Sequence, residues 1–214
     1  MKPYIKISIY LFYILLFLGI VSYPQISDQV IGKTATIRAQ SLQPSIADKV
    51  LRFHVLANSN SPKDQAVKLR VRDAVGTYLE PLLENSRTKE SCERIVSENL
   101  EQIVEIANET LLENGYDYGA TAKISSTDFP EKNYGSYTFP PGTYDALNIT
   151  LGEGGGHNWW CVLYPNMCFR GSVYEVVDTD SGKALRMVLS SEEYEAVIKS
   201  GNYKIRFKLL EYFR

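Results

Sequence analysis

Residue types that do chemistry in proteins are scarce in this chain. It holds two histidines, His54 and His157, and three cysteines, Cys92, Cys161 and Cys168. A nucleophilic cysteine needs its thiolate beside a base in a cleft. His157 and Cys161 are four residues apart on a strand-like run, so they share a face yet stand about 13 Å apart at roughly 3.3 Å per residue. Pairing His54 with Cys161 requires tertiary approach. That pairing defines one functional reading, an exported cell-envelope hydrolase with a Cys161/His site. The competing use of the same sulfur is structural. Cys161 and Cys168 flank Val-Leu-Tyr-Pro-Asn-Met, and a Pro-Asn turn between two short strands can bring their Cα atoms within the roughly 4.4–6.8 Å that a disulfide requires. Such a bond removes the nucleophile. Cys92 falls on the apolar stripe of an expected helix, the position of a small buried hydrophobe.

Other motifs are weaker. His54, His157, Cys161 and Cys168 have the atom types of a zinc site, but neither paired spacing matches a zinc signature; no metal or cofactor is expected. Gly152-Glu-Gly-Gly-Gly156 lacks the Lys-Ser/Thr and helix of a phosphate cradle, and reads as a flexible hairpin tip. Asp180-Ser181-Gly182 is an aspartic-protease tripeptide, but that chemistry needs two carboxylates sharing a proton. The single copy, within residues 178–183, reads as a turn. What remains is Trp159-Trp160. On a strand the two rings face opposite sides, so one can enter the core while the other covers the far face or meets a partner.

The elements that must position these residues are legible from periodicity. Val50 to Ala57 alternates as a strand, with Leu51, Phe53 and Val55 on its buried face and Arg52 and His54 on the other. Ser61 and Pro62 open a helix that runs to about Asn85, with Val67, Val71, Val75, Tyr78 and Leu82 as its stripe and Pro81 near its end. A second helix is expected from about Lys89 to Asn114, stopped by Gly115. Its outer face carries Glu93, Glu98, Glu101, Glu105 and Glu109. Short strands follow at Tyr118–Ile124, Ser136–Phe139, Tyr144–Leu151, Asn158–Tyr164, Val173–Val177 and Tyr203–Leu209, with a helix from Ser190 to about Lys199 before the last. This order predicts an α+β fold, two N-terminal helices packed on a mainly antiparallel β-sheet, preceded by an N-terminal signal or anchor segment.

That segment, residues 1–23, carries Lys2 and Lys6 ahead of an uncharged apolar run, the pattern of an export signal. Ser22 is the fair small residue for cleavage; if retained, the stretch serves as a membrane anchor. Lys2 and Lys6, with no acid before Asp28, put the N-terminus inside and the rest outside. Residues 24–49 read as a polar tether and residues 50–214 as one domain. The formal charge of −2 loses two lysines and no acid with the segment, becoming −4. With no basic face either, a nucleic-acid binder is excluded.

Three blocks carry a resemblance: Leu51-Arg-Phe-His-Val-Leu-Ala-Asn-Ser-Asn-Ser-Pro-Lys-Asp-Gln-Ala-Val-Lys-Leu-Arg-Val-Arg-Asp73, Tyr137-Thr-Phe-Pro-Pro-Gly-Thr-Tyr-Asp-Ala-Leu147, and Gly152-Glu-Gly-Gly-Gly-His-Asn-Trp-Trp-Cys-Val-Leu-Tyr-Pro-Asn-Met-Cys-Phe169. In this order they resemble the stage II sporulation protein R family of endospore-forming bacteria; Pro-Asn-Met before Cys168 departs from the Pro-Pro-Leu type expected there. The resemblance implies a signalling protein secreted from the forespore into the space between the forespore and mother-cell membranes. There it would activate a membrane-embedded aspartic protease of the mother cell that processes the sigma-E precursor. It implies no catalytic residues, and membrane contact only through residues 1–23. The receptor contacts expected on this reading are one of Trp159 and Trp160, the face of Arg52 and His54, and the Gly152 to Gly156 tip.

Overall fold

Alternation in the first apolar run produces strand β1 (Leu51–Leu56), and the other elements assemble around it. The computed structural model describes residues 10–13, 37–168 and 179–199. The export segment, apart from the helical residues 10–13, and the strands expected at 173–177 and 203–209 lie outside the described residues. Among those described, no helix is long and apolar enough to cross a membrane. Helix α1 (residues 37–47) precedes β1. It falls within the stretch 24–49 expected as a tether, and Ile46 and the following Val50 are buried.

After β1 come helices α2 (Pro62–Leu83), α3 (Lys89–Glu98) and α4 (Leu100–Glu113). Ser61 caps α2 as expected, its hydroxyl accepting from the Asp64 amide at 3.1 Å, and the helix continues through Pro81. Its buried stripe is Val67, Val71, Val75, Leu79 and Leu83; Leu82 is exposed, and Lys68 and Arg72 are drawn inside. The single long helix expected after it is two. At Asn99 the side-chain amide donates to the Ile95 carbonyl at 2.7 Å, competing with the backbone ladder. Gly115, at φ 79°, ends α4 as expected.

The chain continues through β2 (Ala120–Phe129), β3 (Lys132–Tyr134), β4 (Tyr137–Phe139), β5 (Gly142–Leu151), β6 (Asn158–Tyr164), α5 (Thr179–Val188) and α6 (Ser191–Lys199). Residues 179–183, expected in a turn, instead begin α5. The main sheet runs β2-β5-β1-β6, and β3 and β4 form a separate pair. It is mixed: β1 lies parallel to β5, whereas β1–β6 and β2–β5 are antiparallel. The chain leaves β1 through three helices, re-enters at the edge as β2, and turns back as β5 beside β1. That path makes one pairing parallel.

Each face of the sheet carries its own core. On one face Phe53, Val55, Leu147, Ile149 and Cys161 join Val71 and Val75 of α2 and Ile103 and Ala107 of α4. On the other, Phe129, Tyr144, Ala146 and Val162 join Ile46, Phe139, Leu185, Leu189 and Val197.

Candidate functional site

Strand β6 sends its two tryptophans to opposite sides. Trp159 meets Phe53 edge-on, ring centroids 5.3 Å apart, beneath the Arg72 guanidinium. Trp160 lies on the second face, stacked on His54 at 4.3 Å with an interplanar angle of 11°, and tilted against Phe129 at 4.6 Å. The Lys132 ammonium stands 5.8 Å from the Trp160 ring centroid. Both tryptophans are half-buried.

Arg52 and His54, expected on an accessible face, are buried, at 0% and 7% exposure. The Arg52 guanidinium carbon lies 4.3 Å from the Phe129 centroid, 5.0 Å from Tyr144 and 5.1 Å from Phe139, so ring quadrupoles replace much of its lost hydration. Its Nε donates to the Cys161 carbonyl at 2.9 Å and its Nη2 to the Tyr134 hydroxyl at 2.8 Å. Burial lowers its pKa, opposed by Tyr134 and Tyr144; the guanidinium stays charged regardless. Burial likewise raises the Tyr134 hydroxyl, with Arg52 opposing. Arg52 is therefore a structural cation.

The His54 tautomer follows from its neighbours. Asn148 Nδ2 donates to the Ala146 carbonyl and the Ser125 hydroxyl, both at 3.0 Å, which turns its Oδ1 toward His54 Nδ1 at 2.8 Å. His54 Nδ1 thus carries the proton. His54 Nε2 is buried without a hydrogen-bond partner, as is Arg52 Nη1.

Because β1 separates β5 from β6, the glycine segment is no hairpin tip. It straps over the end of β1: Gly155 N–H donates to the Asn58 carbonyl and Gly156 N–H to the Ala57 carbonyl, each at 2.9 Å. Glu153 N–H donates to Asn58 Oδ1 at 3.0 Å and His157 N–H to Asn60 Oδ1 at 2.7 Å. A Cβ on Gly156 would overlap the Ser59 carbonyl. The loop it binds is itself anchored by Asp64, which accepts from the hydroxyls of Ser59 and Tyr118 and is held below the usual carboxylate range by those bonds.

Cys161 and Cys168 are joined as a disulfide, Cα atoms 5.9 Å apart. Cys161 pairs with Phe53 in the register and His54 with Trp160, so Cys161 and His54 point to opposite faces. His157 lies before β6, and its amide and carbonyl are held by Asn60 and Lys68. The structure brings Cys161 together with neither histidine, and its sulfur is already bonded. Cys92 is buried, which pushes its thiol up to about 12. A separate groove of about 320 Å³ runs between the end of α2, the end of β6 and α5, lined by Leu83, Tyr164, Pro165 and Met187.

Sequence reading located Trp160 and His54 but missed Asn148, Phe129, Tyr134 and Lys132. Of these only Asn148 falls in an expected strand, Tyr144–Leu151; Phe129, Lys132 and Tyr134 lie beyond the strand bounds that local pattern suggests.

The fold and site together describe an α+β module closed by a disulfide and strapped by glycines. Residues 47–174 match the family model described as stage II sporulation protein R, a span that contains all three sequence blocks. The chain is also 34% identical over 189 residues to stage II sporulation protein R of Bacillus subtilis (strain 168), covering 87% of this chain and 76% of the relative. No solved structure matches. This chain belongs to the stage II sporulation protein R family.

Proposed function

We propose that this protein is an exported signal of sporulation, secreted from the forespore into the intermembrane space to activate a membrane-embedded aspartic protease of the mother cell, which then processes the sigma-E precursor. Family membership carries the proposal. The basic n-region and apolar run of residues 1–23 support export. The consumption of Cys161 in a disulfide supports a binding role over a hydrolytic one. Activation by binding requires that the chain hold the active state of the receptor more tightly than the resting state. The half-buried Trp160 on the second face is the ring available for that contact.

Co-production of the full chain with the receptor protease and the sigma-E precursor, in a host lacking all three, tests the proposal. Processing is expected with the chain and not without it, and not when residues 1–23 are deleted. Precursor that stays unprocessed beside a folded, exported chain sinks it.

A further inference from the structure

The register of the main sheet sorts its charges. The second face carries Thr121, Lys123, Ser125 and Thr127 of β2, Tyr144, Ala146, Asn148 and Thr150 of β5, Arg52, His54 and Leu56 of β1, and Asn158, Trp160 and Val162 of β6. No acid is among them. The acids of the four strands, Asp128 and Asp145, lie by the same register on the opposite face, where Lys89 binds Asp145 at 2.7 Å. The protein is acidic overall, so a face with cations and no carboxylate is a local departure.

Among the described residues, the lower part of this face is filled by the second core, while the upper part is only partly covered: Gly154 of the strap lies against Leu56 and Thr150, and His54 and Asn148 are buried between Trp160 and Lys123. Leu56 belongs to neither hydrophobic cluster, Trp160 sits at the margin of the second, and Lys123 and Thr121 are exposed. Trp160 stands on the edge strand β6, with Lys132 reaching its ring from β3, and Lys123 lies in the same row across the sheet on the opposite edge strand β2. His54 stacks on this ring, and its Nε2 is buried without a hydrogen-bond partner among the described residues. Orphans of this kind are rare in native interiors.

We propose that the upper part of this face, from Trp160 and Lys132 at one edge to Lys123 at the other, is the docking surface for an acidic polypeptide segment on the extracytoplasmic side of the receptor. The inference rests on the activator reading above. Charge complementarity selects the occupant: an aromatic anchor with one cation at its ring and a second across the sheet, neither in an ion pair among the described residues, suits a segment bearing carboxylates. An anionic membrane surface is disfavoured, because recognition of that kind takes clusters of roughly four to eight basic residues.

The test uses the full chain and full-length receptor in detergent for capture, and the co-production assay for processing. The double reversal Lys123→Glu with Lys132→Glu is compared with Lys63→Glu, a charge change on the exposed start of α2, and each variant is checked for an unchanged melting curve. Trp160→Ala is a second probe. The double reversal is expected to weaken capture by roughly tenfold or more and to reduce processing in step. Reversing acidic residues of the receptor's extracytoplasmic loops to lysine should restore both, and Lys63→Glu should change neither. Capture and processing unchanged in the double reversal overturn the docking surface and leave the activator reading standing. An unsubstituted chain that neither captures nor activates overturns both. If the double reversal abolishes sedimentation with phosphatidylglycerol vesicles, or dissolves a dimer of the chain in analytical ultracentrifugation, while receptor capture persists, the face belongs to lipid or to a second copy and the proposal fails.

Discussion

Arg52 holds a full charge among aromatic rings in the second core, tied to Cys161 and Tyr134. Truncating it opens a cavity and leaves a buried carbonyl and a buried hydroxyl unpartnered. Arg52→Ala is expected to destabilise the fold by about 3–5 kcal/mol, read by urea unfolding. Tyr134→Phe removes one hydrogen bond to a charge and should cost only about 1.5–3 kcal/mol. If Arg52 instead contacted a partner, Arg52→Ala would unfold at the same urea concentration as the parent. Burial also governs the cysteines. The oxidised native protein should show no thiol reactive toward a chromogenic disulfide reagent, since Cys161 and Cys168 are bonded and the Cys92 thiol is buried and raised to about 12. One should appear on denaturation and all three after reduction.

At the scale of elements, two ties hold secondary structures that local sequence alone would leave apart. Helix α6 opens on a capping box: Ser190 N–H donates to Glu193 Oε2 at 2.6 Å, and Glu193 N–H to the Ser190 hydroxyl at 3.3 Å. The same carboxylate binds Lys49 Nζ at 2.6 Å and the Ser45 hydroxyl of α1. Burial on its own would raise Glu193, but these donors outweigh it and bring its pKa down from 4.5 to about 2. A lowered folded-state pKa stabilises fully above the unfolded value and is lost as pH falls. This contribution, on the order of 3 kcal/mol, should therefore be present above about pH 5 and disappear between about pH 4.5 and 2. Glu193→Gln should be less stable near neutrality and flatten that part of the stability profile, measured by urea midpoints across pH. The glycine strap is the second tie. Gly156→Ala drives a methyl into the Ser59 carbonyl, with an expected loss of about 1–3 kcal/mol. An unchanged thermal midpoint for Gly156→Ala would show that the strap yields freely.

For the whole molecule, the consequence is a division of labour between the two sheet faces. Among the described residues, one face is filled by α2 and α4; the other is filled at one end by α1, α5, α6 and the β3–β4 pair and is only partly covered at the other. The disulfide closes the end of β6, where Met167 N–H donates to the Val162 carbonyl at 3.2 Å. Cys168→Ser is expected to lower stability by about 2–3 kcal/mol while the α-helical circular dichroism persists, because the helices bury against the other strands. A hydrolase using Cys161 would gain activity when that bond is removed; an activator should lose processing only in proportion to the folded fraction.

How much of this was readable in advance depends on the range of the interaction concerned. The strand Leu51–Leu56, the Ser61 cap, the Gly115 stop, the opposed tryptophans and the buried Cys92 are set by period, capping chemistry or spacing within a few residues, and they were legible in the sequence. So was the family, because its blocks are contiguous. The parallel pairing of β1 with β5, the burial of Arg52, the strap over β1 and the contribution of residues 37–47 to the core were not. Each depends on residues dozens to more than a hundred positions apart, as in Arg52 with Tyr134 or Lys49 with Glu193. Alternation tells which side chains share a face of a strand, but only the tertiary packing decides which face is filled, which cation is enclosed by rings, and which is left open beside Trp160.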